Sequence, residues 1–222
     1  LLRYFCKLSE SKHEAAEKLE QLRAIDNNLR IKVFEYHGNH IKGVDTLDDL
    51  AVINKFMANV TLVRPPSLVS AGSFSGFLTP PIGLVYIAAS LRKNGHKVSI
   101  VDAVGLDPEK STYLGNQLIL RGIPFQEIVR LIPEDTDLIG FSGMFSSDWI
   151  SLRPLVNMIG KKFKNKYFVA GGEHFTAVPE ICLEQCENLD AVSLGEGEET
   201  LVELANAVDD KSSWLNIDGL VV

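Results

Sequence analysis

The stretch TPPIGLVYIAASLRKNGHKVSIVD, residues 79–102, decides how this chain folds. Two adjacent prolines give a rigid start, because proline suits the first turn of a helix, and Gly95 supplies a stop. Between them, residues 82–94 read as a helix whose apolar side chains occupy nearly the whole circumference, which predicts burial against a sheet. HKVSIVD then reads as a strand. Ahead of the prolines runs a long loop of Gly, Ser and Phe, RPPSLVSAGSFSGFL at 64–78. Such a loop leaves room for a large flat ligand, with the helix beginning where that ligand ends.

Outward from this stretch, strand-length apolar runs alternate with helical patterns, the signature of repeated βαβ units and a mostly parallel sheet. The strands are NVTLVRP (59–65), HKVSIVD (96–102), DLIGFSG (137–143), YFVAGG (167–172) and DAVSLG (190–195), with GLVV (219–222) a possible sixth. They are rich in Val, Ile and Leu without strict alternation, as expected where helices cover both faces. Helices are predicted at 82–94, 124–131, 148–163, 179–186 and 198–208. Residues 106–122 form a longer insertion with room for a short helix of its own. Residues 1–58 read as a small, mostly helical N-terminal module, with a helical segment at 11–25, a strand at 31–36 and a helix at 46–57 opened by the cap-like TLDD. The expected division is therefore 1–58 and 59–222.

The net charge of −7 argues against a nucleic-acid surface, which needs a basic patch. The densest basic run, Lys161, Lys162, Lys164 and Lys166, falls at a predicted helix end, where it complements the dipole. The longest apolar run, 82–91, is too short to cross a bilayer, so no membrane association is expected. Three cysteines make no disulfide framework, which makes a reducing cytoplasm the default. The N-terminus lacks the marks of a secretory signal. A first residue other than Met and an unfinished strand at the end read as a piece of something longer.

In an open parallel sheet, ligands bind beyond the carboxyl ends of the strands. There the chain places SGMFSSD, GGEHFT and GEGEE after the third, fourth and fifth strands. Gly171 and Gly172 serve a tight turn equally well, and Ser142, Ser146 and Ser147 could cap the following helix. Gly195 and Gly197 imitate the start of a dinucleotide fingerprint, but Thr200 replaces its third glycine and the position is wrong for it. Together these small residues leave an open shelf, and shelf plus long loop points to a bulky planar cofactor.

PPIGLVYIAASLRKNGHKVSIVD, DLIGFSGMFSSD, FVAGGEHFTAVPE and DAVSLGEGEETLVEL, in that order, resemble the cobalamin-binding domain of cobalamin-dependent (class B) radical S-adenosylmethionine enzymes, over about residues 59–222. The resemblance implies a flavodoxin-like, doubly wound α/β fold of about five parallel strands, with the corrin across their carboxyl ends and the nucleotide tail in a groove beside the sheet. Phe74, Phe77, Leu78 and Pro80 would lie under the corrin. Ser142, Gly143, Met144, Phe145, Ser146 and Ser147 would meet the tail and its phosphate. Gly171, Gly172, Glu173, His174, Phe175 and Thr176 would give its benzimidazole close approach, with Gly195, Glu196 and Gly197 as the other wall. Asp102 is a turn residue or a contact to a corrin side amide.

The family's sister proteins place a cobalt-ligating His in the first loop, which here has none. His37 and His40 read as ordinary loop histidines, so no protein imidazole on cobalt is expected. Cys182 and Cys186 lack the third cysteine of a radical cluster motif and read as half-buried packing residues, on a helix expected to face away from the strand ends. The resemblance therefore implies that the S-adenosylmethionine, the [4Fe–4S] cluster and catalysis belong to a radical domain after residue 222, which would be this domain's partner together with a small-molecule substrate. Methyl transfer to an unactivated centre, or a related rearrangement or cyclisation, is the implied reaction. The rival is a cobalamin-free domain of the same fold that supports the barrel.

Overall fold

The computed structural model describes residues 2–31, 57–72 and 79–222. The chain divides into two compact units, residues 1–43 and 44–222. All but an end residue of the expected strand at 31–36 and helix at 46–57 lie outside the described residues, as do Phe74, Phe77 and Leu78.

In the first unit the predicted helical segment is broken in two. Helix α1 spans Leu2–Phe5, α2 Lys12–Glu17 and α3 Gln21–Asp26. Lys18 takes a left-handed conformation (φ 56°) that ends α2. Ser11 opens it with a reciprocal cap: its hydroxyl accepts from the Glu14 N–H, and the Glu14 carboxylate accepts from the Ser11 N–H, both at 3.2 Å. Arg23 of α3 donates to the same carboxylate from Nε at 2.7 Å, and this bond is the main reason the Glu14 carboxyl is held below its ordinary range.

The second unit is built on a six-stranded sheet. Its strands are β1 (Asn59–Arg64), β3 (Lys97–Asp102), β6 (Leu138–Ser142), β7 (Tyr167–Gly171), β8 (Ala191–Ser193) and β9 (Leu220–Val221), in the order β3-β1-β6-β7-β8-β9. The first five are parallel, in the flavodoxin-like doubly wound order. GLVV is indeed a sixth strand, but it runs antiparallel to β8, reached from helix α10 (Glu198–Asn206) by way of a short 3-10 turn at Lys211–Asn216.

The insertion at 106–122 is not helical. It holds a hairpin, β4 (Ser111–Gly115) and β5 (Leu118–Arg121), which pairs with β2 (Ser67–Ser70) into a separate three-stranded antiparallel sheet. Positive φ at Gly115, Asn116 and Gln117 makes the hairpin turn. A short helix, α5 (Ala103–Leu106), precedes it, capped by Asp102, whose carboxylate accepts from the N–H groups of Val104 (3.1 Å) and Gly105 (2.9 Å). Asp102 thus takes the turn role foreseen for it.

Two apolar cores flank the main sheet. On one face lie α6 (Phe125–Leu131), α7 (Ser146–Lys162), α8 (Glu173–Ala177) and α9 (Pro179–Gln185), around Ile139, Phe141, Phe168, Trp149 and Phe175. On the other lie α4 (Ile82–Lys93) and α10, packed side by side around Val60, Leu62, Leu138, Val169 and Trp214. Helix α4 is not buried all round, as its composition predicts. Leu84, Ala88 and Leu91, spaced by four and three residues, form the inward stripe, while Ile82, Val85 and Tyr86 are more than half exposed.

Candidate cofactor site

Side chains on a strand alternate between faces, so the face toward α4 and α10 can be followed along each strand. On β6 it reads Leu138, Gly140, Ser142; on β7 Tyr167, Val169, Gly171; on β8 Ala191, Ser193. Serine and glycine hold the carboxyl-terminal positions of all three rows. Between those ends and the two helices lies a cavity of about 290 Å³. Glycines at 83, 140, 171, 172, 195 and 197 line it, with Leu62, Leu84, Ile87, Val169 and Leu201 as its apolar walls. The residues Ser142, Met144, Glu173 and Glu196, also read from the sequence, are at this cavity, as are Thr176 and Glu198.

One of these glycines answers to the backbone as well as to the cavity. Gly172 has φ +113°, and a Cβ there would stand 2.6 Å from the Gly143 carbonyl oxygen. Gly143 in turn has no room for a side chain because the Phe175 ring would lie 2.5 Å from its Cβ. By contrast, a Cβ on Gly83 or Gly195 would meet nothing within 4 Å. Thr176 fastens the last loop to α8: its hydroxyl accepts from the Gly195 N–H at 3.0 Å.

The other sequence candidates surround the cavity rather than line it. Phe175 is fully buried, edge-on to Trp149 with centroids 5.3 Å apart, and supports the Gly143 turn from the opposite core. The ring of His174 stands between Ser146 (Nδ1 to Oγ 3.1 Å) and Cys182 (Nε2 to Sγ 3.5 Å). Helix α9 therefore turns Cys182 toward the strand-end loops instead of away from them. Cys182 and Cys186 are both fully buried, and burial pushes both thiols up, which keeps them protonated. Ser146 and Ser147 are exposed, and neither caps α7. That role belongs to Asp148, whose carboxylate accepts from the Phe145 N–H at 3.3 Å and is raised above its usual range, chiefly by burial.

A second, smaller cavity of about 90 Å³ adjoins the first, since Ser142 and Met144 line both; Arg64, Ser67, Phe145 and Asp148 complete it. Arg64 donates to the Thr79 carbonyl at 2.9 Å and pairs with Asp102 at 3.4 Å. It thereby ties the exposed Pro80 end of the first loop to the strand ends. Met144 and Phe145 are more than half exposed, leaving an apolar ledge beside the cavity mouth.

Sequence reasoning missed Gly83, Gly140 and Ser193. The signal for Gly140 and Ser193 was present in the period-two pattern of the strands, which puts both on the row of Gly171. Gly83 carried no such signal, because its place depends on how far α4 stands from the sheet.

A doubly wound sheet with a glycine-lined cavity at its carboxyl ends belongs to the class of α/β cofactor-binding domains. The profile of the B12 binding domain matches residues 72–205, and the chain belongs to that family. It is 31% identical over 163 residues to an uncharacterized methyltransferase of Pyrococcus horikoshii, covering 72% of this chain and 32% of that protein. It is 33% identical over 154 residues to a cytidylyl-2-hydroxyethylphosphonate methyltransferase of Streptomyces wedmorensis, covering 64% of this chain and 29% of that one. A 57-residue stretch, 26% of this chain, is 47% identical to a 3-deoxy-manno-octulosonate cytidylyltransferase of Bartonella bacilliformis and covers 23% of it. Among solved structures, TsrM from Kitasatospora setae, a radical S-adenosylmethionine methyltransferase with cobalamin and a [4Fe–4S] cluster bound, has the same fold (TM-score 0.55, 18% identity, 74% of this chain and 28% of that one). The chain thus spans about a third or less of these relatives. Among the described residues, no helix is long and apolar enough to cross a membrane.

Proposed function

We propose that this chain is the cobalamin-binding part of a methyltransferase that also uses S-adenosylmethionine and a [4Fe–4S] cluster, both held by a further domain of the same polypeptide. The observation that carries the reading is the glycine-lined cavity at the ends of β6, β7 and β8 in a chain of the B12-binding family. The residues fit the group. The apolar floor and missing side chains suit a flat base, and the ledge of Met144 and Phe145 suits the underside of a macrocycle. Bound cobalamin would supply a cobalt able to carry a methyl group. The chain's own residues bind and orient: the glycines allow close backbone approach, and the Arg64–Thr79 bond holds the Thr79 end of the first loop near the strand ends. His174 is held by Ser146 and Cys182, which supports cobalt binding without a protein imidazole.

The test is an absorption titration of the purified chain with hydroxocobalamin, followed by gel filtration. Close to one equivalent should travel with the protein, with a spectrum lacking a protein histidine on cobalt. Colour that separates from the protein would favour a cobalamin-free domain that supports its barrel.

A second observation bears on the substrate. One relative is named for a cytidylyl substrate, and a 57-residue stretch of this chain is similar to a cytidylyltransferase, which together support action on a CMP-conjugated molecule. Methyl transfer assayed with the whole polypeptide should then favour the CMP conjugate over the free acceptor; equal rates would remove this reading.

A further inference from the structure

We propose that Ser193 is the residue that reads the base of the bound nucleotide tail, and that it selects a base with a single free hydrogen-bonding ring atom. This inference rests on the proposed cobalamin function. Ser193 ends β8 and is 2% exposed, and its Oγ has no hydrogen-bond partner among the described residues. A buried hydroxyl without a partner is costly, and such groups are rare unless a ligand completes them.

Ser193 lines the cavity, and its neighbours on that side are small. Ser142, Gly171 and Ser193 form one row across three strands, so the position beside Ser193 on β7 carries no side chain, while Leu220 of β9 pairs with it on the other side. A Cβ on Gly197 would stand 3.3 Å from the Ser193 Oγ, so any other residue there would crowd the hydroxyl. Thr176, the other hydroxyl between β7 and β8, is already engaged by the Gly195 N–H.

The remaining polar side chains of the cavity, Ser142, Glu173, Thr176, Glu196 and Glu198, are exposed or half-buried, whereas the walls around Ser193 are apolar. One inner polar atom in an apolar pocket matches a benzimidazole, which has one free ring nitrogen and is otherwise hydrocarbon. A purine base would bring several polar edge atoms into the same walls and leave most of them unpaired.

The test compares dissociation constants of the chain and of Ser193→Ala for three probes: cobalamin, a corrinoid with adenine as its lower base, and cobinamide, which lacks the nucleotide tail. Ser193→Ala should weaken cobalamin about five- to tenfold, leave cobinamide unchanged, and narrow the preference over the adenine corrinoid. The ligand-free variant should melt no lower than the parent, because it loses a hydroxyl without a partner. A lower melting midpoint would make the hydroxyl structural and overturn the assignment, as would cobalamin affinity within twofold of the parent or an equal loss for cobinamide. Ser193→Cys, close in shape but a weak donor, repeats the comparison should the alanine variant aggregate. If the parent chain binds neither cobalamin nor cobinamide, the cobalamin reading itself fails and takes this assignment with it, an outcome distinct from a parent that binds while Ser193→Ala is indifferent.

Discussion

The two faces of the main sheet use the same strands to opposite ends. Toward α7, successive inward positions are Ile139 and Phe141 on β6, Phe168 and Ala170 on β7, and Val192 on β8, and they join Trp149, Leu152 and Phe175 in one buried apolar cluster. Toward α4 and α10, the amino ends are filled just as well, by Val60, Leu138, Ala191 and Trp214, whose indole donates to the Ala207 carbonyl at 2.9 Å. At the carboxyl ends of that second face, glycine and serine replace the large residues. One quadrant of the sheet is thus kept empty while three are close-packed. A site can be cut into a stable sheet without altering its strands, by changing every second residue near one end.

The contrast is sharpest at Phe175, because it closes the packed face and sits one turn from the cavity. Phe175→Ala should destabilise the fold by about 3–5 kcal/mol, the usual cost of removing a fully buried ring. A urea unfolding curve would show it. A shift below about 1 kcal/mol would mean the packed face relaxes easily and is not the rigid half supposed here.

The open quadrant should respond in reverse to an added side chain. Gly83 lines the cavity, and a Cβ there meets nothing within 4 Å. Gly83→Phe should therefore leave stability within about 0.5 kcal/mol of the parent, helped slightly by the better helix former. It should weaken cobalamin binding more than about tenfold by occupying the cavity. Undiminished binding by a folded Gly83→Phe would show that the tail lies elsewhere and break the comparison.

The difference between the faces also explains what the sequence showed and what it hid. The five parallel strands were legible because Val, Ile and Leu runs bounded by Gly and Asp have few other uses. The clusters at 142–147, 171–175 and 195–197 were legible because strand ends are where such sheets bind ligands. The hairpin at 111–121 was not, although Gly115 and Asn116 between TYL and LIL are a turn signal. Its partner β2 lies some 50 residues earlier, and no local pattern announces a pairing at that distance. Phe175 and Ser193 were misplaced or passed over for a related reason. Composition names the residues near a strand end, but burial decides which of them turn toward the cavity and which support it from behind.

The smallest effect concerns the filled end of the open face, where one polar group is buried. His96 is 3% exposed, and its Nδ1 accepts from the Ala58 N–H at 3.3 Å, which fixes the neutral tautomer with its proton on Nε2. Burial is the main cause that holds its pKa below the ordinary value of 6.5, against a smaller opposing contribution from Asn206. With the folded pKa depressed, the unfolded chain binds the proton first. The stability associated with neutral His96 is therefore intact above about pH 6.5 and is lost as pH falls below it, at no more than about 1.4 kcal/mol per pH unit. Asp148 acts with the opposite sign, since its raised pKa makes protonation favour the fold as pH falls. Urea midpoints at pH 7.5 and 5.5 for the parent and for His96→Gln separate the two. The parent should lose stability across that window and the variant should lose less. An equal loss in both would assign the pH sensitivity to other groups and leave the packed end of this face as indifferent to protons as the opposite one.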